Sequence, residues 1–320
     1  MRSLILFAFG ALFPALLSAQ PANTFFSTLD AERGSVVAPS RDGNLWLGGQ
    51  KDERVLIAKL AANGKILERH SIGFQGPGLD FEHLTDLFED NDGKLVGCGN
   101  FENDNAGRGF VFRYDPVVRK IVWSQIVSSN MSNVHGITEL GPGGDFVLYA
   151  NPHHTAGNDA ELLQLHRNTG QIVPGKAKRF GLGTLDNMVQ TVYHKGALYA
   201  CGRFTNDGGF SNPGRMRHAL CKIDTATLEP LWSRMSAVPS AGLAQLHGRD
   251  LIIDNDAIIS TFSGNPADQD LISSTIFLQK NDLNGNLLWA RQYDMPEWNG
   301  EFAEEVISLP DGYLLYGHDL

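Results

Sequence analysis

Asp42-Gly-Asn-Leu-Trp-Leu-Gly-Gly49 is a turn followed by a short apolar strand that ends in small residues, and versions of it return along the whole chain. They are Asp92-Gly-Lys-Leu-Val-Gly-Cys-Gly99, Gly144-Asp-Phe-Val-Leu-Tyr-Ala150, Lys195-Gly-Ala-Leu-Tyr-Ala-Cys-Gly202, Arg249-Asp-Leu-Ile-Ile-Asp254 and Asp311-Gly-Tyr-Leu-Leu-Tyr-Gly317. With Leu45, Leu95, Phe146, Leu198, Leu251 and Leu314 taken as equivalent, the steps are 50, 51, 52, 53 and 63 residues. A period of that size holds one small sheet, so the repeat sets the architecture before any single residue is considered.

Around each copy, four strands can be read. An apolar alternation such as Gly136-Ile-Thr-Glu-Leu140, Val189-Gln-Thr-Val-Tyr193 or Glu305-Val-Ile-Ser-Leu309 comes first, and the quoted phrase is the second strand. The third is Val55–Leu60, Gly109–Tyr114, Leu162–Leu165, Ala219–Ile223 or Ile276–Lys280. Turns at Asn63-Gly64, Asn168-Thr-Gly170 and Asn284-Gly285 then lead into a fourth, because Asn and Gly tolerate the positive φ of tight hairpins. Four antiparallel strands repeated in this way predict an all-β fold, a β-propeller of about six blades. The predicted blades are 34–75, 82–128, 134–180, 186–236, 241–294 and 302–320. Helical character is confined to Asp80–Phe88, which reads as a loop entering the next first strand. The sixth unit stops inside its second strand at Tyr316-Gly-His-Asp-Leu320, which reads as a truncated frame or a shortened blade. Thr24-Phe-Phe-Ser-Thr-Leu29 is a spare strand placed to close the ring with that blade.

Residues 1–19 read as a cleaved secretory signal: Arg2 is the positive flank, Leu4–Leu17 the apolar run, and Ser18-Ala19 the cleavage site. The rest, 20–320, is read as one propeller domain, secreted or displayed at the cell surface, monomeric, and without a later stretch long enough to span a membrane. A formal net charge of −10 excludes a nucleic-acid partner, which would require clustered Lys and Arg. Cys201 and Cys221 lie on successive strands of one hairpin, where a cross-strand disulfide and a pair of buried thiols are both compatible with the sequence.

Leu198-Tyr-Ala-Cys-Gly-Arg-Phe-Thr-Asn-Asp-Gly208, followed by Cys221-Lys-Ile-Asp224 and Trp232, resembles the secreted bacterial propeller repeats of the delta-60 type. Gly99-Asn-Phe-Glu-Asn-Asp104 and Lys280-Asn-Asp-Leu-Asn-Gly-Asn-Leu-Leu-Trp289 carry the same resemblance, the latter to large exported proteins of Bacteroidetes-like bacteria. The resemblance implies export and a propeller scaffold, and it brings no catalytic residues.

Two local patterns suggest chemistry and are better explained by structure. Trp123, Trp232 and Trp289 share one column of the fourth strand, with Glu68 and Pro174 in the other units. The rings resemble those of quinone-dependent dehydrogenase propellers, but packing between blades accounts for them. Ser40-Arg-Asp-Gly-Asn-Leu-Trp46 resembles a sialidase Asp-box and reads as a hairpin turn.

Ligand-type residues gather where units join. Asp80, Glu82 and His83, then His135, then Asp186 and Asn187, then Glu301 and Glu304, precede or open successive first strands. In a propeller these share one rim with Glu102, Asp104, His153 and Asp207. Such carboxylates and imidazoles are candidates for binding a polar ligand or Ca²⁺, although no cofactor is required by any motif. The expected function is an exported, non-enzymatic scaffold for a protein or glycan. The alternatives are a carbohydrate-active hydrolase using rim acids about 5–10 Å apart, and a structural module of a longer adhesin.

Overall fold

The computed structural model describes residues 33–52, 54–74, 82–101, 108–127, 133–151, 160–180, 187–205, 216–236, 243–266, 275–293 and 301–319. Every regular element among them is a β-strand. The chain divides into two compact units, Met1–Ser129 and Asn130–Leu320.

The N-terminal unit holds two antiparallel four-stranded meanders. The first is Arg33–Pro39 (β1), Leu45–Lys51 (β2), Arg54–Leu60 (β3) and Ile66–Ile72 (β4). The second is Glu82–Glu89 (β5), Leu95–Phe101 (β6), Gly109–Asp115 (β7) and Lys120–Val127 (β8). The C-terminal unit continues with Asn133–Glu139 (β9), Phe146–Asn151 (β10), Glu161–Leu165 (β11) and Ile172–Arg179 (β12). Next come Asn187–His194 (β13), Ala197–Thr205 (β14), Met216–Asp224 (β15) and Pro230–Met235 (β16). The fifth meander is Leu243–Asp254 (β17), Ala257–Pro266 (β18), Thr275–Asp282 (β19) and Leu287–Tyr293 (β20). A two-stranded sheet, Glu301–Leu309 (β21) and Gly312–Asp319 (β22), follows. A single parallel bridge, Met216 to Gln245, links the fourth and fifth meanders.

Strand order within each meander follows chain order, so the first strand lies at one edge and the fourth at the other. Burial follows position. The middle strands are apolar on both faces, with β10 buried throughout and β7 buried except at Asp115. The fourth strands alternate or lie largely open, as in β4 and β20. Sheets covered on both faces must pack against one another, and within each unit the first strand of one meander sits on the strands of the preceding one. The apolar clusters accordingly bridge sheets. One joins Trp46, Val55 and Ile57 to Leu84, Leu87 and Phe112; another joins Tyr149, Leu162 and Phe180 to Met188, Leu198 and Cys221. Four-stranded antiparallel blades stacked face to face in sequence are the construction of a β-propeller. Close stacking explains the small residue in the repeated phrase: a Cβ at Gly48 would lie 2.3 Å from Leu84 Cδ2, on the first strand of the next blade.

Two readings from sequence need correction. Arg249-Asp-Leu-Ile-Ile-Asp254 belongs to β17, a first strand, and the second strand of that blade is β18. Register makes Leu45, Leu95, Phe146, Leu198, Ile258 and Tyr313 equivalent, with steps of 50, 51, 52, 60 and 55 residues. The turn between β17 and β18 contains no glycine: Asn255 and Asp256 take positive φ themselves, at 48° and 57°. The Asp80–Phe88 stretch is also mostly strand, since β5 begins at Glu82. Residues 1–19 and 24–29 lie outside the described residues.

The three cysteines are free and buried. Cys201 stands opposite Leu220 and Cys221 opposite Ala200, so the two are offset by one residue and face opposite sides of the sheet. Cys201 joins the cluster shared with the fifth blade and Cys221 the cluster shared with the third. The pair therefore matches the buried-thiol alternative and departs from the disulfide. Two of the column's tryptophans pack between blades as expected: Trp289 meets Tyr313 of β22 at 6.2 Å, and a Cβ at Gly285 of the fifth blade would lie 2.9 Å from the Trp232 ring, whose edge-on contact with Tyr199 at 6.4 Å stays within its own blade.

Candidate functional site

Each first strand carries a register shift at nearly the same place. The residues skipped by pairing are Ser35, Thr85, His135, Val189, Arg249 and Glu304. A bulge bends its strand and turns one side chain away from the regular pleat, and bulges recur beside functional sites. In the C-terminal unit the first strands β9, β13, β17 and β21 pack one after another, so their bulges form a row along one wall.

At three of the six bulges the next residue has a capping role. Asp86 accepts the amide of Leu87 at 2.8 Å, Gln190 that of Thr191 at 2.9 Å, and Asp250 that of Leu251 at 2.7 Å. Each side chain thus caps a donor that the bulge frees from the ladder. In the C-terminal unit these caps are also linked across blades. Tyr149 donates its hydroxyl to Gln190 Oε1 at 2.8 Å, the Gln190 amide reaches Asp250, and the second Asp250 oxygen accepts the Val306 amide at 2.8 Å. One hydrogen-bonded chain therefore runs from β10 through β13 and β17 to β21. Asp250 is 6% exposed, and its burial raises the carboxyl pKa against the opposing pull of those amides. This network escaped the sequence reading. Its trace is the polar residue inside an apolar first strand, as in Thr85-Asp-Leu87, Val189-Gln-Thr191 and Arg249-Asp-Leu251.

Two of the four bulged side chains on this wall carry charge. Arg249 Nη1 lies 3.7 Å from Glu304 Oε1, joining β17 to β21. His135 is half-buried on β9, and burial, aided by the Arg203 charge, pushes its imidazole down to about 4, so the ring is neutral at physiological pH. The backbones that precede Arg203 and Arg249 meet at one blade interface. Gly248 packs against the Gly202 carbonyl so tightly that a Cβ there would lie 2.7 Å from that oxygen. Behind them His218 is fully buried, stacked on Phe262 at 4.5 Å. Its Nδ1–H donates to Gly202 O at 3.3 Å, and its Nε2 accepts from Ser260 Oγ at 3.1 Å.

Of the candidate residues read from sequence, His135 and Glu304 fall on this wall, both at bulges. His83 lies on β5 in the N-terminal unit, opposite Asn100. Glu82, Asn187 and Glu301 are the first residues of β5, β13 and β21. Asp80, Glu102, Asp104, His153, Asp186 and Asp207 lie outside the described residues. Among the described residues, no three His, Cys, Asp or Glu side chains converge as a metal site, and no helix is long and apolar enough to cross a membrane.

No family model matches the chain, and no curated protein matches it. Solved structures do. Hydrazine synthase of Kuenenia stuttgartiensis is 14% identical, with 92% of this chain and 76% of that chain covered and a TM-score of 0.55. An oligogalacturonate lyase in complex with manganese is 14% identical over 86% of this chain and 67% of its own, with a TM-score of 0.49. Extracellular domains 1–2 of Drosophila semaphorin 1b are 10% identical, with 78% of this chain covered, 52% of that chain spanned, and a TM-score of 0.49. At such identities the likeness is one of fold alone, and that fold is the β-propeller.

Proposed function

We propose that the chain is an exported, non-enzymatic propeller that binds a polar ligand, a glycan or a segment of protein, on the wall formed by its bulged first strands. One observation carries the reading: Asp250, the buried acid of that wall, accepts a backbone amide with each of its oxygens. A carboxyl group fixed in this way holds blades together and has little capacity left to transfer protons to a substrate. Export is supported by the positive, apolar and small-residue pattern of residues 1–19. The delta-60-like segments fit the same destination.

The experiment pairs binding with turnover. The purified mature chain is screened on a glycan array with and without Ca²⁺, and each bound sugar is then incubated with protein in excess. Saturable binding with the sugar recovered intact is expected. Stoichiometric cleavage would refute the scaffold reading, and failure to reach the cell exterior in a secretion assay would refute export.

A further inference from the structure

We infer that the free edge of β22 is a docking site for an extended segment of a partner protein, which pairs there as the third strand of the sixth blade and brings a Lys or Arg to Asp311. The site is the edge of β22 away from β21 and not the first-strand wall, so it stands or falls independently of the ligand-binding reading above.

The opening comes from strand pairing. In the five four-stranded meanders the second strand is flanked on both edges, and β2, β6 and β10 are buried almost throughout. Among the described residues β22 pairs with β21 alone, and Tyr313, Leu314 and Leu315 are only half-buried. An apolar strand with a bare edge is a template for a further strand, which gains affinity through main-chain hydrogen bonds. The chain's own third strands show which chemistry fits. Each sets a long hydrogen-bond donor opposite the residue equivalent to Leu314: Lys59 opposite Trp46, Arg113 opposite Val96, Gln164 opposite Val147, Lys222 opposite Tyr199 and Lys280 opposite Ile259. In the first three blades that donor also meets an acid of the turn before the second strand. Lys59 lies 2.8 Å from Asp42, Arg113 2.6 Å from Asp92, and Gln164 3.0 Å from Asp145. The corresponding turn of the sixth blade holds Asp311, which is exposed and has no hydrogen-bond or ion-pair partner among the described residues. Charge complementarity therefore selects an apolar strand that bears Lys or Arg. Residues 24–29 carry no Lys, Arg or Gln, and neither does β22, so neither that segment nor the β22 edge of a second copy supplies the missing donor.

The probe is a fluorescein-labelled synthetic peptide with the sequence of residues 54–60, Arg-Val-Leu-Ile-Ala-Lys-Leu, titrated with the mature chain and followed by anisotropy. Amide exchange is read in parallel at the β22 amides that point away from β21. Saturable binding that protects those amides is expected. Of two peptides N-methylated at alternate residues, the one whose methyl groups face β22 should lose at least about 10-fold in affinity and the other little. Asp311 lies exposed in a turn, so Asp311→Lys keeps the fold. That variant should weaken the parent peptide about 3-fold and strengthen a peptide carrying Lys59→Glu by a similar factor, the scale of an exposed ion pair. The inference is overturned if the peptide fails to bind, if binding leaves exchange in β22 unchanged, if both methylated peptides bind as the parent does, or if the charge swap has no effect. It is overturned equally if the outward β22 amides are protected without peptide. Protection that rises with protein concentration would assign the edge to a second copy, and protection lost on deleting residues 24–29 would assign it to that segment.

Discussion

Replacing Asp250 with Ala removes the acceptor of two backbone donors at once, Leu251 N–H at 2.7 Å and Val306 N–H at 2.8 Å. Both sit beside a residue that is 6% exposed, so water does not readily replace the carboxylate. Each buried donor left without a partner costs about 1–3 kcal/mol. Part of that is returned, because the folded state no longer holds a carboxyl group whose pKa is raised by burial. The net loss is expected to be about 3 kcal/mol. For a unit the size of residues 130–320 this lowers the melting temperature by about 6–12 °C. Asp250→Asn should recover little, since its amide nitrogen would face one of the two donors. Asp86→Ala is the internal control: Asp86 is partly exposed and caps Leu87, so about 1 kcal/mol is expected. Thermal melts of the three variants, with amide exchange read at Val306, provide the assay. A loss below about 1 kcal/mol for Asp250→Ala, or unchanged protection of the Val306 amide, would refute the claim that this residue ties β17 to β21.

Two further predictions concern buried titratable groups. The His218 imidazole is pushed from 6.5 down to about 4 by burial. The unfolded chain therefore takes up this proton near pH 6.5 and the folded chain only near pH 4, so acidification through that window lowers stability. At about 1.4 kcal/mol per pH unit, the loss from this ring approaches about 3 kcal/mol. Urea unfolding of His218→Gln between neutral pH and pH 4 should show a correspondingly shallower decline, whereas parallel slopes for variant and parent would refute the assignment. The thiols of Cys98, Cys201 and Cys221 are raised by burial, Cys221 to about 12. They should resist a thiol reagent in the native protein, and all 3 should react in denaturant without reductant; finding only one reactive thiol would reinstate the disulfide.

The blade period was legible because turn residues and strand apolars recur together, and a strand needs little more than that to be recognised. Reading failed where the turn chemistry changed. Leu251-Ile-Ile and Ala257-Ile-Ile are both apolar runs, and without a glycine at Asn255-Asp256 nothing local in the sequence distinguishes the first-strand run from the second. The wall was only half legible. His135 and Glu304 stood out as ligand-type residues, but nothing local marks them as bulged, because a bulge depends on the register of two strands. Asp250 and Gln190 were missed for a related reason. A polar residue within an apolar run signals a buried partner, and here the partners lie 41 and 56 residues away, at Tyr149 and Val306.

The most direct test of the scaffold claim is the chemical fate of a ligand bound at the first-strand wall. A sugar whose affinity falls in Arg249→Gln should be incubated with excess protein for many hours and then recovered for mass spectrometry. Recovery of the unaltered mass is the predicted result. A cleaved, eliminated or oxidised product that forms with the parent protein, and whose formation falls in Asp250→Ala at matched occupancy and retained fold, would contradict it.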